Sequence, residues 1–197
     1  MIDFIFRGRS TKLDAGMQRF IYIVSFVVTL AMSTARAGWV DEQGNPIPDS
    51  DYRKSVGTLA AQLVITGNES QLLENWNTPS QSVELPTSNE FGVNEIITVF
   101  VVFGGCATDA DGNCDLNMQI TVYQPNGEVY SGLPVMEVWS GKPVPPEKRL
   151  GLSAEYIRIV VEPDEPLGKY RIDARIMDNI SKQGMTLRSH FTAVEAR

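Results

Sequence analysis

The fold is decided by residues 168–177, which read GKYRIDARIM. Apolar residues alternate with charged ones through this stretch, and the side chains predicted to face the core are Tyr170, Ile172, Ala174 and Ile176. Residues 185–194 read MTLRSHFTAV and repeat the alternation. The two stretches therefore predict a hairpin of two antiparallel strands, each with one buried and one solvent-facing side.

Further strand patterns precede this hairpin, and they are separated by turns. They cover residues 58–66, 96–103, 116–123, 135–139 and 156–162, with a proline-rich loop at 142–146. Residues 96–103 are apolar at seven of eight positions, so we expect both faces of this strand to be covered. One short helix is predicted at 68–76, capped by Asn68 with Glu69 in its first turn. Without a long helix between the strands, the sequence predicts a mainly β protein, an antiparallel β-sandwich with one short N-terminal helix.

A family resemblance rests on residues 168–174, GKYRIDA, which follow the turn EPDEP at 162–166. This stretch resembles the penultimate-strand signature of immunoglobulin-like domains, Gly-x-Tyr-x-Cys-x-Ala, with Ile172 in the place of the cysteine. Without the cysteine, the resemblance implies a bacterial immunoglobulin-like or macroglobulin-like sandwich. It also implies a tyrosine corner at Tyr170. No functional residue follows from it, because such folds carry many activities.

The N-terminal residues have the features of a secretory signal peptide. A mostly apolar run of 13 residues, 20–32, follows Arg19 and precedes the small-residue pattern Ala35-Arg36-Ala37. A spanning helix needs about 20 apolar residues, so the run is short for a membrane anchor. We predict a signal peptide at 1–37 with cleavage after Ala37. Met17 is an alternative start, which would give a leader of ordinary length. An extended N-terminal segment at 38–57 and a β-sandwich domain at 58–197 would follow.

The predicted cleavage determines the net charge of the mature chain and the compartment in which we expect it. The full chain has 17 basic and 24 acidic residues, and removing residues 1–37 would leave 12 and 22, a net charge of −10. This acidity argues against nucleic acid as a partner. The residue directly after the cleavage site is not a cysteine that could carry a lipid, and no second long apolar run is present. The sequence therefore predicts a periplasmic or secreted protein with no membrane span after cleavage.

The two cysteines, Cys106 and Cys114, enclose seven residues at the junction of two predicted strands. In an oxidising compartment they are expected to form a disulfide that closes the loop. A redox role would need a reactive thiolate, usually in a Cys-x-x-Cys motif, and this spacing does not provide one.

Side chains with oxygen donors stand at alternate positions in the same region: Asp109, Asp111, Asn113 and Asp115. Oxygen donors at this spacing occur in calcium-binding loops, and Gly112 permits a tight turn. The EF-hand features of a glycine after the third ligand and a later bidentate glutamate are missing. Two interpretations remain open, a calcium site formed by the four residues and an acidic turn exposed to water.

A basic surface is predicted on the solvent side of the C-terminal hairpin. Pairing the apolar side chains of the two strands places Asp173 opposite His190, the only histidine of the chain. The same register places Arg175 opposite Arg188, with Arg171 on the same side. This surface is either a solvated sheet face with an Asp–His pair or a docking face for an acidic protein or an anionic glycan.

No motif for catalysis is present after residue 37. The sequence contains neither a Gly-x-Ser-x-Gly elbow nor a Ser-x-x-Lys motif, and the single histidine lies in a strand pattern. We therefore expect a non-catalytic binding or accessory module with no cofactor. The alternatives are a calcium-stabilised extracytoplasmic module and, last, an enzyme of unrecognised type.

Overall fold

A computed structural model describes residues 38–40, 45–78, 85–146 and 150–196. The predicted signal peptide lies outside these residues. The described elements are β1 (Trp39–Val40), β2 (Pro46–Ile47), β3 (Arg53–Val56), β4 (Leu59–Thr66), α1 (Glu69–Asn77), β5 (Glu90–Gly92), β6 (Ile97–Gly104), β7 (Asn113–Tyr123), β8 (Val129–Pro143), β9 (Gly151–Leu152), β10 (Ile157–Ile159), β11 (Gly168–Asp178) and β12 (Gly184–Val194).

Two five-stranded sheets make the layers of a sandwich. The first sheet has the order β10–β6–β4–β3, with β9 also paired to β6, and the second has the order β5–β12–β11–β7–β8. Neighbouring strands are antiparallel except β5 and β12, which are parallel. Buried apolar residues from both sheets form one core cluster. The predicted fold class, a mainly β sandwich with one short helix, is confirmed.

Strand β6 is covered on both faces, as its apolar sequence predicts. Val99 and Val101 belong to the core between the sheets. Phe100 and Val102 point the other way and pack under α1 in a second cluster with the fully buried Leu72. Burying a leucine side chain contributes about 2 kcal/mol. The second cluster therefore holds the helix against the outer face of the first sheet.

Helix α1 begins where the sequence predicts. Asn68 is its N-cap, and the Asn68 side-chain oxygen accepts a hydrogen bond of 3.2 Å from the Gln71 N–H. This bond satisfies one of the backbone donors that the first turn of a helix leaves unpaired.

The tyrosine corner implied by the immunoglobulin-like resemblance is present. The fully buried Tyr170 donates a hydrogen bond of 2.8 Å from its hydroxyl to the Pro166 carbonyl oxygen. Its ring stacks on Phe191 of β12, with centroids 5.0 Å apart and planes 7° from parallel. The corner thus fixes the chain entering β11 to the core that β11 and β12 share.

Strands β11 and β12 form the predicted hairpin, but the predicted register is wrong by two residues. Asp173 lies opposite Arg188, His190 lies opposite Arg171, and Arg175 lies opposite Thr186. Because the displacement is even, every side chain keeps its predicted face of the sheet.

The turn between β11 and β12 explains this register. Asp178 is fully buried, and its Oδ1 accepts hydrogen bonds from the N–H groups of Ile180 (2.9 Å) and Ser181 (3.1 Å). The Asp178 N–H donates to the Gln183 carbonyl oxygen at 2.8 Å. An aspartate that closes its own turn in this way sets the pairing locally, whereas apolar alternation alone allows a shift by two.

Two segments contain more strand than the sequence predicts. Strand β8 covers 15 residues instead of the predicted 135–139, and shifts in its register against β7 interrupt the alternation that predictions rely on. Pro134 is tolerated inside β8 because this strand is at the sheet edge. Strand β3 lies within the segment predicted as extended, and it pairs with β4 through a turn at Gly57, whose φ is +57°.

Candidate functional site

The predicted disulfide between Cys106 and Cys114 is confirmed. The Cα atoms are 5.9 Å apart, and both cysteines lie in the core cluster. Next to it, the Ala107 N–H donates a hydrogen bond of 2.9 Å to Asp178 Oδ2. Asp178 therefore ties the disulfide loop to the turn between β11 and β12.

Two carboxylates of the acidic loop accept hydrogen bonds within the protein. Asp109 Oδ1 accepts hydrogen bonds of 2.9 Å from the N–H groups of Asp111 and Asn113. Asp115 Oδ1 accepts one of 3.0 Å from the Ser140 hydroxyl on β8. Within the described ranges, no three His, Cys, Asp or Glu side chains form a group that could hold a metal ion. Asp109, Asp111 and Asp115 therefore do not form such a group, and Asp109 instead closes the turn.

The basic surface predicted from the sequence lies on the solvent side of β11 and β12. We call it the cationic face. Its residues are the five predicted ones, Arg171, Asp173, Arg175, Arg188 and His190, together with Lys169, which the sequence prediction did not include. It contains four positive side chains and one carboxylate, on a chain whose net charge is −7. Two paired strands carry all six residues, so the backbone beneath them is rigid.

Asp173 lies between two arginines of the cationic face. It accepts hydrogen bonds from Arg188, with Nε–Oδ1 at 2.8 Å and Nη2–Oδ2 at 3.2 Å. Arg171 Nε lies 3.4 Å from Asp173 Oδ1 as an ion pair without hydrogen-bond geometry. The Arg171 guanidinium also lies over the Tyr123 ring, 3.9 Å from its centroid. One carboxylate therefore positions two guanidinium groups without neutralising both.

The surroundings of His190 favour its neutral form. Partial burial lowers the pKa of His190 below its ordinary value of 6.5, and the positive charges of Lys169, Arg188 and Arg171 lower it further. Asp173 acts in the opposite direction with a smaller effect. The predicted Asp173–His190 pair is not formed, since Asp173 lies opposite Arg188.

An open cleft of about 420 Å³ lies beside His190, between the edges of β4 and β12; we call it the edge cleft. Buried Leu63 and Ile65 lie at its base, and the Tyr52 ring, 43% exposed, lies at its rim. The other side chains that border it are polar: Gln62, Thr87, Ser88, Asn89, Ser189 and His190.

Backbone hydrogen bonds frame the edge cleft on both sides. On the β4 side, the Leu63 N–H donates to Tyr52 O at 2.9 Å and the Ser88 N–H to Ile65 O at 3.1 Å. On the β12 side, the Arg188 N–H donates to Asp51 O at 2.7 Å and the Thr192 N–H to Asn89 O at 2.8 Å. The sequence reasoning missed this cleft because four separate segments build it and none carries a motif.

A second polar cluster, also missed, joins α1 to the first sheet. The Glu69 carboxylate accepts hydrogen bonds from Arg158 Nε (2.7 Å), Arg158 Nη2 (2.6 Å), the Tyr156 hydroxyl (2.9 Å) and the Thr98 hydroxyl (3.1 Å). The Arg158 hydrogen bonds are the main cause that lowers the pKa of Glu69 from 4.5 to about 2. Glu69 and Arg158 are 89 residues apart, so no local pattern predicts the contact. We interpret this cluster as a clamp on the helix.

The part of the chain that the structure describes contains no helix long and apolar enough to cross a membrane.

No protein-family profile matches this sequence, and no curated protein is significantly similar to it. Similar solved structures include a family 123 glycoside hydrolase from Clostridium perfringens, at 10% identity and a TM-score of 0.41 over 71% of this chain and 28% of that chain. The CARDB domain of the Pyrococcus furiosus PF1109 protein, solved with di-metal ions, is 13% identical over 76% of this chain and 100% of that chain, with a TM-score of 0.34. The C-terminal domain of Wzt is 13% identical over 76% of this chain and 81% of that chain, with a TM-score of 0.37. At these values the likenesses carry no inference about function.

Proposed function

We propose that this chain is a non-catalytic binding or accessory module that works outside the cytoplasm and holds an anionic partner on its cationic face. The observation that carries the proposal is the concentration of Lys169, Arg171, Arg175 and Arg188 on one open sheet face of an acidic chain. A positive patch on a negative protein both attracts and orients an anionic partner.

The arrangement of the arginines supports binding. Arg171 is held by the Tyr123 ring and by Asp173, and Arg188 is held by Asp173. Guanidinium groups that are already positioned lose less conformational entropy when a carboxylate or sulfate arrives. Arg175 is exposed and lies on the same strand as Arg171. Three guanidinium groups thus face the solvent from one hairpin.

The location outside the cytoplasm rests on the disulfide and on the predicted leader. Cys106 and Cys114 form a bond that persists in oxidising compartments. The partner of such a module is then an acidic protein surface or an anionic glycan, and the acidity of the chain disfavours nucleic acid.

The experiment is a calorimetric titration of the protein with two anionic probes, a hexaglutamate peptide and tetragalacturonate. Arg175→Glu is expected to weaken the binding of the recognised probe by about tenfold, because it replaces an attractive charge with a repulsive one. Lys182→Glu is the matched control, since Lys182 lies in the exposed turn beyond the two strands and the net charge changes equally. Equal affinities of the two variants would count against the proposal.

A further inference from the structure

The edge cleft has the chemistry of a site for a neutral polar group with several hydroxyls. Gln62, Thr87, Asn89, Ser189 and His190 border it, and within the described residues none of their side chains makes a hydrogen bond. Two carboxamides, two hydroxyls and the neutral form of an imidazole can both donate and accept. The hydroxyls of a sugar ring require donors and acceptors of this kind in one place.

The cleft is formed before any ligand arrives. Two backbone hydrogen bonds on the β4 side and two on the β12 side hold its walls, and Leu63 and Ile65 fix its base in the core. A volume of about 420 Å³ is within the range of small-ligand sites. The exposed Tyr52 ring at the rim offers an apolar surface, which suits the C–H face of a pyranose.

An added peptide strand fits the cleft less well. The outward backbone groups of β12 are already used on both sides of His190, by Asp51 at Arg188 and by Asn89 at Thr192. Between these two hydrogen bonds, little more than the backbone of His190 is left to pair with a peptide. Such a short stretch does not support the addition of a strand. The polar side chains of the cleft, rather than the edge of β12, therefore determine which ligand binds there.

The cationic face begins at the rim of the cleft. His190 belongs to both, lies opposite Arg171 and is two residues from Arg188 on the same side of β12. The Arg53 guanidinium adds a further positive charge over the Tyr52 ring, 5.8 Å from its centroid. A ligand seated in the cleft thus has positive charge on the side that leads to β11 and β12.

We infer that the edge cleft binds one unit of an acidic saccharide, with its hydroxyls on Gln62 and Asn89 and its carboxylate or sulfate group toward Arg188 and Arg171. The inference rests on the proposed function, of which it names the partner class. A flat acidic protein surface would use the cationic face and leave the cleft empty.

The test titrates the full chain with three acidic tetrasaccharides, namely tetragalacturonate, a hyaluronan fragment and a chondroitin sulfate fragment, and with hexaglutamate. At least one saccharide is expected to bind with a Kd below about 1 mM. Gln62→Ala and Asn89→Ala are each expected to weaken that binding at least about fivefold, a typical effect of losing a hydrogen bond to a ligand. Gln71→Ala is the matched control, because Gln71 is exposed on α1, which covers the other sheet, and it does not border the cleft.

The outcomes separate the two proposals. Saccharide binding that depends on Arg175 but not on Gln62 or Asn89 would overturn the proposed cleft site. The proposal that the cationic face binds the partner would then stand alone. Binding of hexaglutamate alone, weakened in Arg175→Glu, would do the same and assign an acidic protein as the partner. If no probe binds, both proposals fail. Thermal unfolding of each variant shows whether it is folded, and the two cleft variants provide independent readings.

Discussion

Asp173 on β11 lies directly opposite Arg188 on β12 and accepts two hydrogen bonds from its guanidinium, at 2.8 and 3.2 Å. Arg171 approaches the same carboxylate at 3.4 Å. The pairing raises the pKa of Arg188 and holds its guanidinium on the cationic face. Asp173 is thus the only negative charge among the cationic-face residues, and its position orders two of the four positive ones.

Removing this carboxylate should strengthen the binding of anions. Asp173→Asn leaves Arg171 and Arg188 without their shared acidic partner, so the cationic face becomes more positive. We expect the gain in positive charge to outweigh the lost positioning of the two arginines, so the affinity for the recognised anionic probe should rise. The loss of stability should be small, because partly exposed ion pairs contribute little. Calorimetric titration and urea unfolding of Asp173→Asn measure the two effects. Weaker binding would show that orientation of the arginines matters more than net charge.

The Glu69 clamp should make stability depend on acid pH. Its pKa is about 2 in the folded protein against the ordinary 4.5, so the stabilisation is fully present above pH 4.5. It is lost as the pH falls from 4.5 toward 2, because protons then bind the unfolded chain more strongly. Glu69→Gln should therefore be clearly less stable than the native protein at pH 7, and the difference should shrink at pH 2.5.

Urea unfolding at several pH values checks this expectation. Glu74→Gln is the control, since Glu74 is exposed on the same helix and its side chain makes none of these contacts. A gap between Glu69→Gln and the native protein that stays constant down to pH 2.5 would contradict the interpretation of Glu69 as an ionised clamp.

The tyrosine corner should contribute measurably to the free energy of unfolding. Tyr170→Phe removes the hydroxyl that bonds to Pro166 and leaves the buried ring in place. We expect a loss of about 1 to 2 kcal/mol in the free energy of unfolding, because the Pro166 carbonyl loses its partner. Tyr123→Phe, at a half-exposed position, serves as the comparison and should cost much less. Equal losses in the two variants would refute the corner's contribution.

The disulfide should stabilise the native state mainly through the unfolded chain. Replacing both Cys106 and Cys114 by alanine frees the short loop and is expected to cost about 2 to 3 kcal/mol. Urea unfolding of the native protein with and without a reductant gives the matching measurement without a mutation. If the reduced protein unfolds at the same urea concentration as the oxidised one, the disulfide does not contribute to stability.

Much of the fold could be predicted because it follows from local patterns. The apolar run of β6, the Asn68 cap and the alternation of β11 and β12 are visible along the chain, and each is confirmed. The register of the last hairpin could not be predicted, because Asp178 decides it through a turn whose hydrogen bonds do not appear in the alternation. The extent of β8 was missed because register shifts hide its period.

One part of the candidate site was predicted from the sequence and another part was not. The cationic face was found because strand parity places Arg171, Arg175 and Arg188 on one side regardless of a shift by two. The edge cleft was missed because Gln62, Asn89 and His190 become neighbours only through the packing of the two sheets. Contacts of that kind depend on tertiary structure and carry no signal in a single sequence.

The central claim, that the cationic face binds an anionic partner, is tested most directly by nuclear magnetic resonance mapping of backbone amides. The labelled protein is titrated with tetragalacturonate and, separately, with hexaglutamate. The account predicts that the largest shift changes fall on residues 171–175 and 186–190 for the bound probe, and that they are much smaller in Arg175→Glu at the same probe concentration. Changes confined to other strands, or none with either probe, would contradict it.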